Sequence, residues 1–394
     1  MLTTDEARAL IAERVHILDA ERVPLAGAHG RRLREPVSAR EDIPAFERSA
    51  MDGYAIRGGD ASAQFRIVTE IATGGVATRA IGTGECARVF TGAPIPDGAT
   101  QVIVQELAQR EGDNVSFSKR PAALNIRRRG EDARIGDVLL KSGTLLRALE
   151  LSLLAQLGVV NPLVSPRPRI LHIVTGSELV APNEVPAGGQ IRDSNSTMIA
   201  ALASDAGADV VRQSRAGDHL HALISAVQSA PESGWEMLLI SGGASVGDYD
   251  FGRRAIEAIG FAVHFHQLNL RPGKPLIFAT RDRQVAFVIP GNPLSHFVCW
   301  HVVIRTAIDA LSSGASQLGF VEMPLGGDRP LPGHSRETWW PARMAWGARG
   351  PLAEPLSWQS SGDITRLVGV DSLIRIPSES PPLSPGGNVA VMLL

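Results

Sequence analysis

From Ile170 onward the chain repeats one pattern: a run of consecutive apolar residues, a loop rich in glycine, serine and aspartate, then an amphipathic helix. ILHIV leads into TGSE, DVV into RQSRAGD, MLLI into SGGASVGDYDF, and VAFVIP into GNPLSH. Strands that are apolar without alternation are buried on both faces, so the pattern predicts a mostly parallel sheet covered by helices. The expected helices follow each loop. The first is capped by Asp193, Ser194 or Asn195 and runs through Met198, Ile199 and Leu202. The second carries Leu220, Leu223, Ile224 and Val227, the third Ile256 and Ile259, and the last spans roughly Leu294 to Leu311. In an open parallel sheet, ligands bind outside the carboxyl ends of the strands, where these loops gather.

The flanking regions follow other rules. Thr3 and Glu6 form a capping box before Ala7, Leu10, Ile11 and Val15, which predicts an opening helix. Between about Ser38 and Lys141 short apolar runs such as FRIV, CARVF and QVIVQE alternate with turn residues, predicting a small β-rich region. Helix returns from Leu145 to Leu157 with Gly158 as C-cap, and the proline-rich Asn161 to Arg169 is a linker. Past about Gln317, TWWPARMAW, SLIRIP and NVAVMLL are strands of a C-terminal β domain. The expected fold is multidomain α/β plus β: residues 1–166 hold a helical base with an inserted β-rich domain at about 45–140, 167–316 the central α/β domain, and 317–394 the β domain.

A net charge of −2 generates no field to recruit nucleic acid or an anionic membrane, and Arg127, Arg128 and Arg129 form the one local basic run. The opening MLTTDEARALIAERV lacks the basic start and apolar centre of a signal peptide, and no stretch of about eighteen apolar residues occurs. The expectation is a cytoplasmic protein without nucleic-acid or membrane partners. Two cysteines, Cys86 and Cys299, make no disulfide framework or zinc motif.

The strand-to-helix loops would bring Glu178, Asp218, Asp248 and Asp250 to one rim with Arg271 and Lys274, the last held between prolines in RPGKP. Hard carboxylate oxygens suit magnesium, while cations and the backbone amides of a glycine-rich turn suit phosphate oxygens. Plainer roles exist for each residue: Asp218, Asp248 and Asp250 can cap the helices that follow, and Asn292 in PGNP can shape a turn. His264, His266 and His296 lie on or beside apolar stretches and are core or surface residues, and RRRGED is a solvated face. Two N-terminal loops are denser in special turn residues than connectors require: IPAFERSAMDGYAIRG, with Asp52, and VFTGAPIPDGA, with Thr91.

As an ordered set, PAFERSAMDGYAIRG, FTGAPIPDGA, RRRGEDARIGDVLLKSGTLL, RPRILHIVTGSELV, GGQIRDSNSTM, SGGASVGDYDF, RPGKPL and PGNPLS resemble the molybdopterin molybdenumtransferases, to which the gephyrin E domain is similar. The resemblance implies a four-part subunit: a helical base, an inserted β domain, a central domain like the molybdopterin adenylyltransferases, and a C-terminal β domain. It further implies an elongated homodimer whose cleft lies between the central domain of one subunit and N-terminal loops of the other. The implied reaction takes adenylylated molybdopterin and molybdate to molybdenum cofactor and AMP with magnesium. A molybdopterin adenylyltransferase and the receiving molybdoenzymes would be further partners.

By the same resemblance Glu178, Asp218 and Asp250 serve the metal and nucleotide side, with Glu178 and Asp250 as metal ligands. Asp52 and Thr91 come across the dimer cleft. Ser241, Gly242, Gly243, Ser245, Gly247, Asp248 and Asn292 hold the cofactor substrate, Arg271 and Lys274 its phosphates or molybdate, and Asp132 belongs to a motif of lesser rank. Three positions depart from the family pattern: Arg271 stands where lysine is commoner, Ser177 where an acidic residue is usual, and Thr100 where aspartate is frequent. The alternatives are a molybdopterin adenylyltransferase and a molybdopterin-binding scaffold without catalysis.

Overall fold

The computed structural model describes residues 1–230, 234–243, 251–313, 319–348 and 350–394. Their contacts divide into two compact units, one of Met1–Arg34, Leu145–Arg147 and Asn161–Leu394, the other of Glu35–Thr144 and Ala148–Val160.

Helix α1 (Thr4–Arg14) opens the larger unit. The expected capping box is formed, Thr3 Oγ1 accepting from the Glu6 amide and Glu6 Oε2 from the Thr3 amide. Ala7, Ile11 and Val15 face the core.

The smaller unit is built on a six-stranded mixed sheet of β1 (Gly53–Ile56), β2 (Gln64–Ile71), β3 (Glu85–Val89), β4 (Gln101–Val104), β5 (Ala108–Glu111) and β6 (Asn114–Phe117), in the order β4-β1-β3-β2-β6-β5. It has a core on each face, because β1 alternates sides: Ala55 packs with Val89 and Val102, while Tyr54 and Ile56 pack with Phe65, Cys86 and Ile103. Gly53 begins this central strand where a Cβ would stand 2.1 Å from the Ile103 carbonyl oxygen, so the glycine of MDGYA is required by the packing of β1 on β4. Helix α2 (Ala148–Gln156) completes the unit.

The larger unit continues with β7 (Arg169–Thr175), α3 (Asn195–Asp205), β8 (Asp209–Ala216), α4 (Leu220–Gln228), β9 (Met237–Ser241), α5 (Phe251–Ala258), β10 (Ala262–Phe265), β11 (Ile277–Arg281) and β12 (Gln284–Ile289). The sheet order is β8-β7-β9-β12-β11-β10; the first four strands are parallel, and β11 and β10 are antiparallel additions. Parity separates the two cores: Ile170, Met237, Leu239 and Phe287 face one layer, Leu171, Leu238, Ile240 and Val288 the other. The long helix expected at Leu294–Leu311 is interrupted. It runs as α6 (Pro293–Cys299), a π-helical turn over Trp300–Ile304, and α7 (Arg305–Ser313).

The C-terminal sheet comprises β13 (Phe320–Pro324), β14 (Glu337–Gly347), β15 (Gly350–Pro355), β16 (Ser372–Ile376) and β17 (Asn388–Leu393), in the order β14-β16-β17-β13 with β15 on β14. Leu270–Arg271 pairs in parallel with the start of β14 and so joins this sheet. Trp339, Leu373 and Met392 share a hydrophobic core with Trp300, Ile304 and Leu311. No helix among the described residues is long and apolar enough to cross a membrane.

Candidate functional site

The carboxyl ends of β7, β9 and β12 open onto a cavity of about 460 Å³. Thr175, Gly176 and Glu178 enter from the loop after β7, Asp218 from the loop after β8, Gly242 and Gly243 from the end of β9, and Pro290, Gly291 and Asn292 from the end of β12. Lys274 and Pro275 close one side. Of the six charged residues expected at one rim, Glu178, Asp218, Asp248, Asp250, Arg271 and Lys274, the fold brings Glu178, Asp218 and Lys274 to this cavity, together with Gly242, Gly243 and Asn292, which were expected to hold the cofactor substrate.

Asp218 is held by β7 and its loop. Its Oδ1 accepts from Thr175 Oγ1 at 2.6 Å, and its Oδ2 from the Ser177 amide at 2.8 Å and hydroxyl at 3.2 Å. Partial burial pushes this carboxyl up, but the hydrogen bonds from Thr175 and Ser177 outweigh it and hold the pKa below the ordinary aspartate value. Helix α4 is capped instead by His219, whose Nδ1 accepts from the Ala222 amide at 3.1 Å. Asp218 is therefore not spent as a cap. Ser177 donates to a carboxylate rather than adding one.

Gly242 has φ +93°, and a Cβ there would lie 2.6 Å from the Thr175 carbonyl oxygen. Its amide donates to the Ile289 carbonyl at 2.9 Å, fixing the turn to β12. Asn292 is tied to the C-terminal sheet's loop, Nδ2 donating to Ser361 Oγ at 2.7 Å, and Asn195 Nδ2 donates to the Gly291 carbonyl at 2.7 Å.

Among the described residues Lys274 makes no ion pair, and the Glu178 carboxylate accepts no hydrogen bond. Among the described residues the rim thus offers Glu178 and Lys274 without charged partners beside the committed Asp218. The expected residues Ser245, Gly247, Asp248 and Asp250 lie outside the described residues. Among the described ones no set of three or more histidine, cysteine or acidic side chains could hold a metal. The hard oxygens of Glu178 and Asp218 fit magnesium in kind, with Glu178 the available ligand.

One expected rim residue, Arg271, and one expected cofactor-holding residue, Ser241, sit elsewhere. Arg271 does not line the cavity; its guanidinium lies over the Trp358 ring, 5.3 Å from the centroid. Ser241 ends β9 with its hydroxyl buried, 2.7 Å from His172 Nε2 and 2.7 Å from His296 Nε2. His172 and His296 are fully enclosed, and burial pushes their pKa values down to about 3 and about 4. His172 had no place in the sequence reading, and its only signal was one polar residue inside the apolar run ILHIV. Thr175, the donor that anchors Asp218, was likewise missed.

In the smaller unit Asp52 Oδ1 accepts from the Thr91 amide at 2.7 Å and hydroxyl at 2.9 Å. Those two bonds hold the Asp52 carboxyl below its ordinary value, with Arg88 assisting. The Arg88 guanidinium lies over Tyr54 and Phe90, 4.9 and 5.2 Å from the ring centroids. The pairing of MDGYA with the FTGA loop is thus a direct contact. Asp132 pairs with Arg127, which also pairs with Glu131, while Arg129 meets Asp42 at 2.8 Å. This is the solvated ion-pair surface read from RRRGED.

Comparison with known proteins gives three family matches in chain order: the MoeA N-terminal region (domain I and II) over residues 2–158, a probable molybdopterin binding domain over 172–310, and the MoeA C-terminal region (domain IV) over 327–394. The molybdopterin molybdenumtransferase of Bacillus subtilis (strain 168) is 30% identical over 390 residues, covering 95% of this chain and 90% of that protein. That of Nostoc sp. (strain PCC 7120 / SAG 25.82 / UTEX 2576) is 31% identical over 391 residues, covering 95% and 89%. Among solved structures, the molybdopterin biosynthesis moeA protein from Pyrococcus horikoshii OT3 superposes over 100% of both chains with a TM-score of 0.83 at 28% identity.

Proposed function

The chain belongs to the molybdopterin molybdenumtransferase family, and we propose that its central cavity is the cleft in which adenylylated molybdopterin meets molybdate, yielding molybdenum cofactor and AMP. As a transferase family of molybdenum cofactor biosynthesis it requires a site that recognises a pyrophosphate and an oxyanion. The observation that carries the reading is the convergence of Glu178, Asp218, Lys274 and the Gly242–Gly243 turn on one cavity.

When the phosphoanhydride of the substrate breaks, negative charge develops on the departing AMP phosphate. Lys274 and the Gly243 amide are the groups that would stabilise it. Asp218, fixed by Thr175 and Ser177, would orient the nucleotide as an acceptor. Magnesium would be held by Glu178 and Asp250, supplying charge neutralisation of the pyrophosphate. The protein acts in the cytoplasm as a homodimer, with Asp52 and Thr91 of one subunit serving the other's cleft. Arg271 contributes positive charge from its seat on Trp358.

The test is incubation of purified protein with adenylylated molybdopterin and magnesium, measuring AMP with and without molybdate. Molybdate-dependent release is expected. Bound substrate with no AMP released would overturn the reading.

A further inference from the structure

A polar row, exposed at Gln213 and buried at His172, Ser241 and His296, leads to the cavity, and its hydrogen-bond directions are determined by its ends. At the exposed edge strand β8, Gln213 Nε2 lies 2.9 Å from the Ser196 carbonyl oxygen and 2.8 Å from His172 Nδ1. A carbonyl only accepts, so the nitrogen end of the amide faces it and the second N–H points at His172 Nδ1. His172 Nδ1 must then accept, placing the neutral ring's proton on Nε2, which donates to Ser241 Oγ at 2.7 Å. The Ser241 hydroxyl passes its own proton to His296 Nε2 at 2.7 Å. His296 is left with its proton on Nδ1, facing the Asn292 carbonyl at 3.3 Å.

The row crosses four elements on one face of the sheet, from β8 through β7 and β9 to α6. His172 stands directly opposite Gln213, and Ser241 opposite Val174, two residues along the same strand face. Each member has one partner on each side, and no buried donor or acceptor of the two rings is left over. Its two outputs are both at the cavity: Ser241 is bonded to Gly242, and Asn292 is a lining residue. The row lies on the sheet face that carries the hydrophobic core of Ile170, Leu239, Leu294 and Val298. Three buried polar groups in series are there for direction, which packing alone does not supply.

We propose that the row Gln213–His172–Ser241–His296 is a positioning device, setting the height of the Gly242–Gly243 turn, whose Gly242 amide is tied to the Ile289 carbonyl, so that the Gly243 amide and Asn292 together meet the reacting phosphates. It rests on the reading of the cavity given above. Because a misplacement on the order of 1 Å costs about a hundredfold in rate, its loss appears in kcat before it appears in substrate affinity.

Three variants and two measurements test it. Ser241→Ala and His296→Leu break the row; His296→Gln keeps an amide oxygen where Nε2 stood, able to accept from Ser241. Expected are folded proteins in which the first two lower kcat for AMP release about tenfold or more with KM within about threefold, and His296→Gln restores most of the rate. Amide hydrogen exchange in Ser241→Ala should quicken at 242–243 and 291–296 and not across β10 and β11. Unchanged kcat in folded Ser241→Ala, or a His296→Gln protein as slow as His296→Leu, would overturn it. If wild-type protein releases no AMP, the cleft reading fails by itself, and exchange then decides the row: acceleration confined to the two loops supports it, and uniform or absent acceleration sinks it.

Discussion

Ser177 holds Asp218 at two points, its amide 2.8 Å from Oδ2 and its hydroxyl 3.2 Å from the same oxygen. A carboxylate with three donors facing it prefers its charged form, so Asp218 favours the folded state above the unfolded aspartate pKa near 3.9, and this contribution is lost as pH falls through the lower folded value. An Asp218→Asn variant turns an amide donor toward those donors. Its midpoint of thermal unfolding should lie below wild type at pH 7, and the gap should narrow as pH falls through the lowered folded value and Asp218 takes up its proton. A gap independent of pH would refute the assignment.

Asp52 and Glu178 are proposed to serve one cleft from two subunits. Asp52→Ala and Glu178→Ala proteins should each lose AMP release while retaining folded circular dichroism spectra. After denaturation and co-refolding at equal amounts, half the dimers are mixed and carry one intact cleft, so activity should return to about a quarter of wild type. No recovery would place both residues in the same subunit's site.

Gly53→Ala should destabilise the smaller unit by about 1–3 kcal/mol through overpacking, since the added Cβ would lie 2.1 Å from the Ile103 oxygen. Urea unfolding followed by circular dichroism measures it. Because Asp52 directly precedes this residue, activity should fall along with stability.

Arg271→Lys keeps the charge and removes the guanidinium. Charge survives, so AMP release should stay within about threefold of wild type. The planar stack on Trp358 is weakened, at about 0.5–1 kcal/mol, which differential scanning calorimetry would detect as a lowered midpoint. A loss beyond tenfold would show that the guanidinium fork itself touches substrate.

Much of this was legible because burial on both faces leaves a signature that burial on one does not. MLLI is apolar throughout since Leu238 and Leu239 point into different cores, and that alone announces a parallel sheet and the end at which its loops collect. Glu178, Asp218, Lys274 and Asn292 followed from topology. The choice between cap and site for Asp218 did not, because His219 beside it could also cap, and only side-chain directions separate them. His172 and the π turn at Trp300 escaped for a related reason: a polar residue or an extra residue inside an apolar stretch does not alter the period enough to be read. The seat of Arg271 on Trp358 joins positions 87 apart in the chain, which no local pattern encodes.

The shared core of the C-terminal sheet and the helices that end at Ser313 has an outcome for how the molecule is made. Trp339, Leu373 and Met392 are synthesised after Trp300, Ile304 and Leu311, yet they share one core with them. A nascent chain that has finished its parallel sheet still shows the ribosome's surroundings an uncovered greasy flank until the final strand, β17, emerges. A chain cut short between α7 and β17 therefore yields a sticky product rather than a smaller enzyme.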